Sequence, residues 1–134
     1  MNNGTVTING GKISENRATR GGGLFLNGGL VTMNDGEISG NESTAAGGGV
    51  GIGNATFVIN GGEIVGNRAS ANGGGINAGS GTLRLNNGKI SGNTANNGAG
   101  VTLGAGTFTM YDGEISENIS NFNRWRYKYY YWNF

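Results

Sequence analysis

The chain has 134 residues, a net charge of +1, and no histidine, cysteine or proline. Its length suits one domain, and the missing residue types exclude disulfides, thiolate metal sites and histidine-based acid–base catalysis. The charge is uneven: residues 1–121 carry six Lys and Arg against eight Asp and Glu, whereas residues 122–134 add three cations and no acid. Residues 1–121 have no excess of positive charge that would attract nucleic acid, so no nucleic-acid partner is predicted.

No run approaches the roughly 20 apolar residues that span a bilayer, so no transmembrane segment is predicted. The first ten residues, MNNGTVTING, lack the charged and apolar regions of a signal peptide. Thirty glycines would by themselves suggest a low-complexity chain. A regular internal repeat argues against that interpretation.

The repeat unit is marked by a recurrent Gly-Lys/Glu-Ile motif. Its isoleucines lie 25 or 26 residues apart, at Ile13, Ile38, Ile64, Ile90 and Ile115. Such a period is the signature of a solenoid, in which stacked repeats bury a common core. We therefore assign residues 1–120 to a repeat domain and residues 121–134 to a separate C-terminal segment.

Each repeat begins with a segment of alternating apolar and polar residues, in order TVTIN, LVTMN, TFVIN, TLRLN and TFTMY. The isoleucine motif follows, then a short polar loop, and then GGGLFL, GGGVGI, GGGINA or GAGVTL. Alternation with period two predicts strands, because successive strand side chains point to opposite faces. Three short strands per turn, stacked about 4.8 Å apart with the favoured crossover hand, predict an all-β right-handed parallel β-helix of about five turns.

An asparagine closes each isoleucine motif. Stacked at a corner, these amides are expected to hydrogen-bond along the axis and to turn backbone, which makes a structural ladder. Its members are Asn16, Asn41, Asn67, Asn93 and Asn118. Ligand binding by these amides is the alternative. The glycine runs at 21–23, 47–49 and 73–75 predict tight corners, and no strand-to-helix context supports a phosphate-binding role for them.

The pairing of GGGL, GGGV, GGGI or GAGV with ISEN, ISGN or IVGN resembles the repeats of bacterial adhesin-like surface proteins. It is similar, more loosely, to the GGA-I and F-x-x-N repeats of polymorphic outer-membrane proteins, with isoleucine at the phenylalanine position. The resemblance covers roughly residues 4–120. It implies a right-handed β-helix displayed outside the cell or at its surface, in an adhesive or structural role.

Polysaccharide cleavage is one alternative, since many parallel β-helices are lyases or hydrolases. It requires carboxylates about 5–9.5 Å apart or a calcium site. Asp35 and Asp112 share a column but lie three turns, about 14 Å, apart. Glu37 and Glu63 are neighbours in an outward column that also contains lysines. We therefore predict no enzymatic activity, no metal and no cofactor.

Ice binding is a second alternative, because Thr5-Val6-Thr7 and Thr107-Phe108-Thr109 are threonine pairs of the kind found in flat threonine arrays. Leu30, Val58 and Arg84 interrupt the same columns in the inner turns. Threonine on an outer strand face is also explained by its β-propensity.

The C-terminal segment, NFNRWRYKYYYWNF, departs from the repeat. Its basic and aromatic residues alternate, which predicts a strand with an aromatic face. It can cap the last turn, pack on a neighbouring subunit, or contact glycans or an anionic surface. The candidate residues are Phe122, Arg124, Trp125, Arg126, Tyr127, Lys128, Tyr129, Tyr130, Tyr131, Trp132 and Phe134.

A solenoid exposes unpaired strand edges at both ends. If the last turn of one subunit meets the first turn of the next, the contact does not close and a filament grows. We predict a non-enzymatic structural module, extracellular or at the cell surface, whose partner is another copy of itself bound head to tail. The alternative is a truncated or monomeric adhesin segment that binds a surface glycan or protein.

Overall fold

The computed structural model describes residues 1–121, which form a solenoid of parallel strands and contain no helix. The predicted all-β parallel β-helix is therefore confirmed. Residues 122–134 hold the aromatic and basic segment, so the predictions for it lie outside the described residues. Residues 1–121 have no helix long and apolar enough to cross a membrane.

The first two segments of each repeat form two faces of the solenoid. The alternating segments form sheet A, and the isoleucine motifs form sheet B. Sheet A contains β1 (Thr5–Ile8), β5 (Leu30–Met33), β9 (Thr56–Ile59), β13 (Thr82–Leu85) and β17 (Thr107–Met110). Sheet B contains β2 (Lys12–Ser14), β6 (Glu37–Ser39), β10 (Glu63–Val65), β14 (Lys89–Ser91) and β18 (Glu114–Ser116). All neighbouring strands in both sheets are parallel.

Two further sheets complete each turn. Sheet C contains β3 (Arg17–Arg20), β7 (Glu42–Ala46), β11 (Arg68–Ala69), β15 (Thr94–Ala95) and β19 (Ile119–Ser120). Sheet D contains β4 (Leu24–Leu26), β8 (Val50–Ile52), β12 (Ile76–Ala78) and β16 (Val101–Leu103). The described chain thus makes four complete turns and the first three strands of a fifth.

Sheet C corrects the expectation of three strands per turn, because the segment predicted as a polar loop forms a fourth strand. Its strands are as short as two residues, and their inward side chains are small, such as Ser43, Ala69 and Ala95. Small inward residues give almost no hydrophobic alternation, so the sequence pattern does not reveal the strands of sheet C. Backbone pairing defines them instead, as where Arg68 pairs with both Glu42 and Thr94.

The core consists of columns of like residues stacked along the axis. The isoleucines of sheet B pair with one another from turn to turn, and Ile38, Ile64 and Ile90 are at most 1% exposed. Burying each such side chain contributes about 1.5–3 kcal/mol before entropy is subtracted. A column of sheet A is open at the first turn, where Val6 is 42% exposed although its stacked neighbour Val31 is 1% exposed.

Candidate functional site

The predicted asparagine column lies inside the corner between sheets B and C. The side-chain amide of Asn41 donates to Oδ1 of Asn67 at 3.0 Å, and the backbone N–H of Asn41 donates to the same oxygen at 3.0 Å. The Asn67 amide in turn donates to Oδ1 of Asn93 at 3.0 Å and to the Ile38 carbonyl at 2.9 Å. The same pattern links Asn16 to Asn41.

These amides are used by the protein itself. Asn41, Asn67 and Asn93 are at most 1% exposed, and every buried side-chain nitrogen or oxygen in residues 1–121 has a hydrogen-bond partner. Oδ1 of Asn67 and Oδ1 of Asn93 each accept a buried backbone N–H, from Asn41 and Asn67, at a corner where the strand ladders stop. The geometry therefore supports a structural role for the column and leaves no amide group in its middle for a ligand.

A second asparagine ladder, which was not predicted, runs along the exposed corner after sheet A. Its members are Asn9, Asn34, Asn60 and Asn86, joined amide to Oδ1 at 2.8–2.9 Å. The signal was visible, because an asparagine ends each of the first four alternating segments. The fifth member of the column is Tyr111, which is 61% exposed in the last turn.

The charged column of sheet B borders a shallow groove of about 560 Å³ along the corner between sheets A and B. Lys12 Nζ lies 3.2 Å from Oε1 of Glu37, and Lys89 Nζ lies 3.7 Å from Oε1 of Glu114. Glu63 is stacked between Glu37 and Lys89. These are solvent-exposed pairs, which contribute little to stability.

Asp35 is the other acid in this groove, and it serves a turn. Its Oδ1 accepts the backbone N–H of Gly36 at 2.8 Å, and Asp112 holds Gly113 in the same way. In the part of the chain that the structure describes, no three acidic side chains are grouped closely enough to hold a metal ion. The arrangement of these carboxylates therefore fits turn formation and surface ion pairing.

The pKa of the Glu37 carboxyl is lowered by a hydrogen bond from the Ser39 hydroxyl, and further by the Lys12 ammonium. A lowered pKa in the folded chain means that ionised Glu37 stabilises the fold above the ordinary carboxyl range. This contribution is lost as the pH falls through the lowered pKa. In urea unfolding, wild type should therefore exceed Glu37→Gln in stability at pH 7, and the difference should vanish near pH 2.

The Ser39→Ala background supplies the control for this pH dependence. Without the hydroxyl, the difference between Glu37 and Glu37→Gln should shrink, because the Ser39 hydrogen bond is the largest cause of the lowered pKa. A stability difference that stays constant from pH 7 to pH 2 would contradict the prediction.

The outer face of sheet A carries the threonine pairs. Their column in β13 and β17 is joined by a hydrogen bond of 3.2 Å from Thr107 to Thr82. Leu30, Val58 and Arg84 stand in the same two columns, as the register of the sheet requires. The face is therefore a mixed surface and not a continuous threonine array.

The two terminal turns carry strand edges that no residue of 1–121 covers. Strands β1, β2 and β3 each pair only with the strand of the second turn, and β17, β18 and β19 only with that of the fourth. Asn16 Oδ1 accepts no hydrogen bond from residues 1–121, although the equivalent oxygens of Asn41, Asn67, Asn93 and Asn118 accept two each. An open acceptor thus lies at the first end of the buried ladder.

Met1 begins the column that leads to sheet D. Its carbonyl accepts the Asn27 N–H at 2.8 Å, as the Leu26 carbonyl accepts the Gly53 N–H one turn later. Its ammonium donates to the Phe25 carbonyl at 2.7 Å, and its side chain packs against the core. Met1 therefore stacks below Leu26 at the open end.

Comparison with known proteins adds no family or function to this geometry. No protein-family model, curated protein or solved structure matches the chain.

Proposed function

We propose that the protein is a non-enzymatic structural solenoid, displayed outside the cell, that assembles head to tail into filaments. The observation that carries this proposal is that the first and last turns present equivalent strands at opposite edges of the same sheets. Because every strand stacks on its equivalent in the next turn, the last turn of one subunit can accept the first turn of another in the same register. The resemblance of the GGG and ISGN repeats to those of bacterial adhesin-like surface proteins supports the extracellular setting.

The apolar columns support this junction. In the columns of sheets A and B, Phe108 follows Leu83 and Ile115 follows Ile90 at the last turn. Continuing these columns brings Val6 of the next subunit onto Phe108, and its Ile13 onto Ile115. Val6 is exposed and Ile13 half-buried in the single chain, so association would remove apolar surface from water.

The polar columns support the same register. The Asn118 amide donates to the Ile90 carbonyl at 3.1 Å, and its Oδ1 accepts from Asn93. Its backbone N–H and remaining amide hydrogen are then the donors that Asn16 Oδ1 of the next subunit would accept. Glu114 would meet Lys12 of that subunit, an opposite-charge pair of the kind that Lys12 already makes with Glu37.

Electron microscopy of the purified 134-residue chain tests the proposal. We expect long thin fibres whose number increases with protein concentration. Val6→Lys should abolish them, because it places a charge between Val31 and Phe108 of the neighbouring subunit. Leu30→Lys is the matched control: Leu30 is also exposed on sheet A, at 38%, but lies away from the junction, so fibres should persist. Monodisperse particles at high concentration would contradict assembly and favour a monomeric adhesin segment.

Deleting residues 122–134 tests the role assigned to the C-terminal segment. We expect the β-sheet signal in circular dichroism to persist, because the solenoid core lies in residues 1–121. Ordered assembly should be lost or replaced by aggregation, since the segment was predicted either to cap the last turn or to bind the neighbour. Unchanged fibres together with unchanged solubility would contradict both interpretations.

A further inference from the structure

The corner between sheets B and C has the same left-handed backbone in every turn. Gly40, Gly66 and Gly92 occupy it in the inner turns, with φ of 62°, 65° and 62°. Glu15 and Glu117 occupy it in the first and last turns, with φ of 58° and 55°. Within residues 1–121 these two glutamates are the only non-glycine residues with positive φ.

Backbone preference does not explain the two glutamates, because a side chain in the left-handed region carries conformational strain that glycine avoids. Lack of space does not explain the inner glycines either, since a β-carbon on Gly66 would meet nothing within 4 Å. The chain therefore places a strained, charged residue at this corner only in the two turns that form its ends. Strain that recurs at equivalent places points to a role at those places.

We propose that Glu15 and Glu117 form a like-charge pair across the head-to-tail junction, which weakens the association of one solenoid with the next. The inference rests on the proposed function, and it identifies what weakens the head-to-tail contact. If the corner column continues across the junction, the backbone of Glu117 in one subunit lies about 4.8 Å, one strand spacing, from the backbone of Glu15 in the next.

Among residues 1–121, no ion pair compensates the charge of either glutamate at this corner. The cations nearest to Glu15 in sequence are Lys12 and Arg17, which pair with Glu37 at 3.2 Å and with Glu42 at 3.8 Å. Neither Glu15 nor Glu117 has an ion pair within residues 1–121, and both are exposed. Like charges directly opposite one another destabilise strand pairing, and charged residues at exposed edges are a common protection against uncontrolled stacking.

A charge-exchange cycle on the 134-residue chain tests the pair. Glu117→Lys and Glu15→Lys should each lower the critical concentration for fibre formation, by about fivefold, because each converts repulsion into attraction. The double variant should return to the wild-type value, since two lysines repel as two glutamates do. Strain cancels in this comparison, because lysine and glutamate are both non-glycine residues at the same φ.

Glu63→Lys is the control, as Glu63 is exposed on sheet B but remote from both ends. It should leave the critical concentration unchanged. In about 1 M salt the gain of the single variants should disappear, because charges are then screened beyond about 3 Å. Single variants that do not promote assembly, or a double variant that does, would overturn the inference while leaving the proposed function intact. Absence of fibres from the wild type and all variants would overturn both.

Discussion

Replacing Asn67 with alanine is expected to lower the free energy of unfolding by about 3–4 kcal/mol. Two buried N–H groups of Asn41 lose their acceptor, and the Ile38 carbonyl loses a donor. Each buried polar group left without a partner costs about 1–3 kcal/mol. Water cannot replace the lost side chain easily, because Asn67 is fully buried.

Asn60→Ala is the matched control, since it removes an asparagine from the second ladder. Its amide donates to Asn34 at 2.9 Å and its Oδ1 accepts from Asn86 at 2.8 Å, but all three side chains are exposed. Water can take over both bonds, so we expect a loss below about 1 kcal/mol.

Chemical denaturation followed by circular dichroism measures both losses. Hydrogen exchange should also accelerate at the Asn41 backbone amide in Asn67→Ala and remain slow in Asn60→Ala. Equal losses in the two variants would contradict the distinction between the buried and the exposed ladder.

Gly48→Ala is the second substitution with a large expected effect, a loss of about 3 kcal/mol or more. A β-carbon at Gly48 would lie 2.3 Å from the carbonyl oxygen of Gly74 and 2.4 Å from that of Arg68. Both obstacles are backbone atoms of the next turn, so no side chain can move aside. Turns two and three would have to separate, with loss of the hydrogen bond from Gly48 to Gly73 at 2.9 Å.

Gly10→Ala is the control for this steric effect. A β-carbon there would meet nothing within 4 Å, and Gly10 does not have a positive φ. We therefore expect a change within about 0.5 kcal/mol, the usual range for surface substitutions. The measurement is the denaturation midpoint of each variant, and a Gly48→Ala protein as stable as Gly10→Ala would show that the turns are not packed at this distance.

The sequence predicted the parallel β-helix and its axial columns because both follow from local patterns. Alternation with period two indicates which residues of β5, β9 or β13 face inward, and the repeat of 25 or 26 residues aligns them between turns. The isoleucine motif was recognised because it recurs with the same period of 25 or 26 residues. Sheet C was missed, since alanine and serine on its inner face carry little hydrophobic signal and only backbone pairing defines those strands.

The candidate site was predicted less completely. The ends of the solenoid were expected to carry the contact, and the outward column of sheet B was expected to contain both glutamates and lysines. The proposed pairing of Glu15 with Glu117 was not predicted, although glycine stands at the same position of the ISGN and IVGN motifs in the three inner repeats. Only the structure shows that the two glutamates keep the left-handed backbone of those glycines.

The sequence by itself determined the repeat, the inward columns and the order in which equivalent residues stack. Only the tertiary structure decided which of two similar polar residues is buried. Asn67 and Asn60 both close a short strand segment, yet one is fully buried and the other exposed. Gly48 and Gly10 are both corner glycines, yet only the first abuts the backbone of the next turn. The reason is that burial and close approach depend on what the neighbouring turn places beside a residue, whereas side-chain alternation depends on the strand alone.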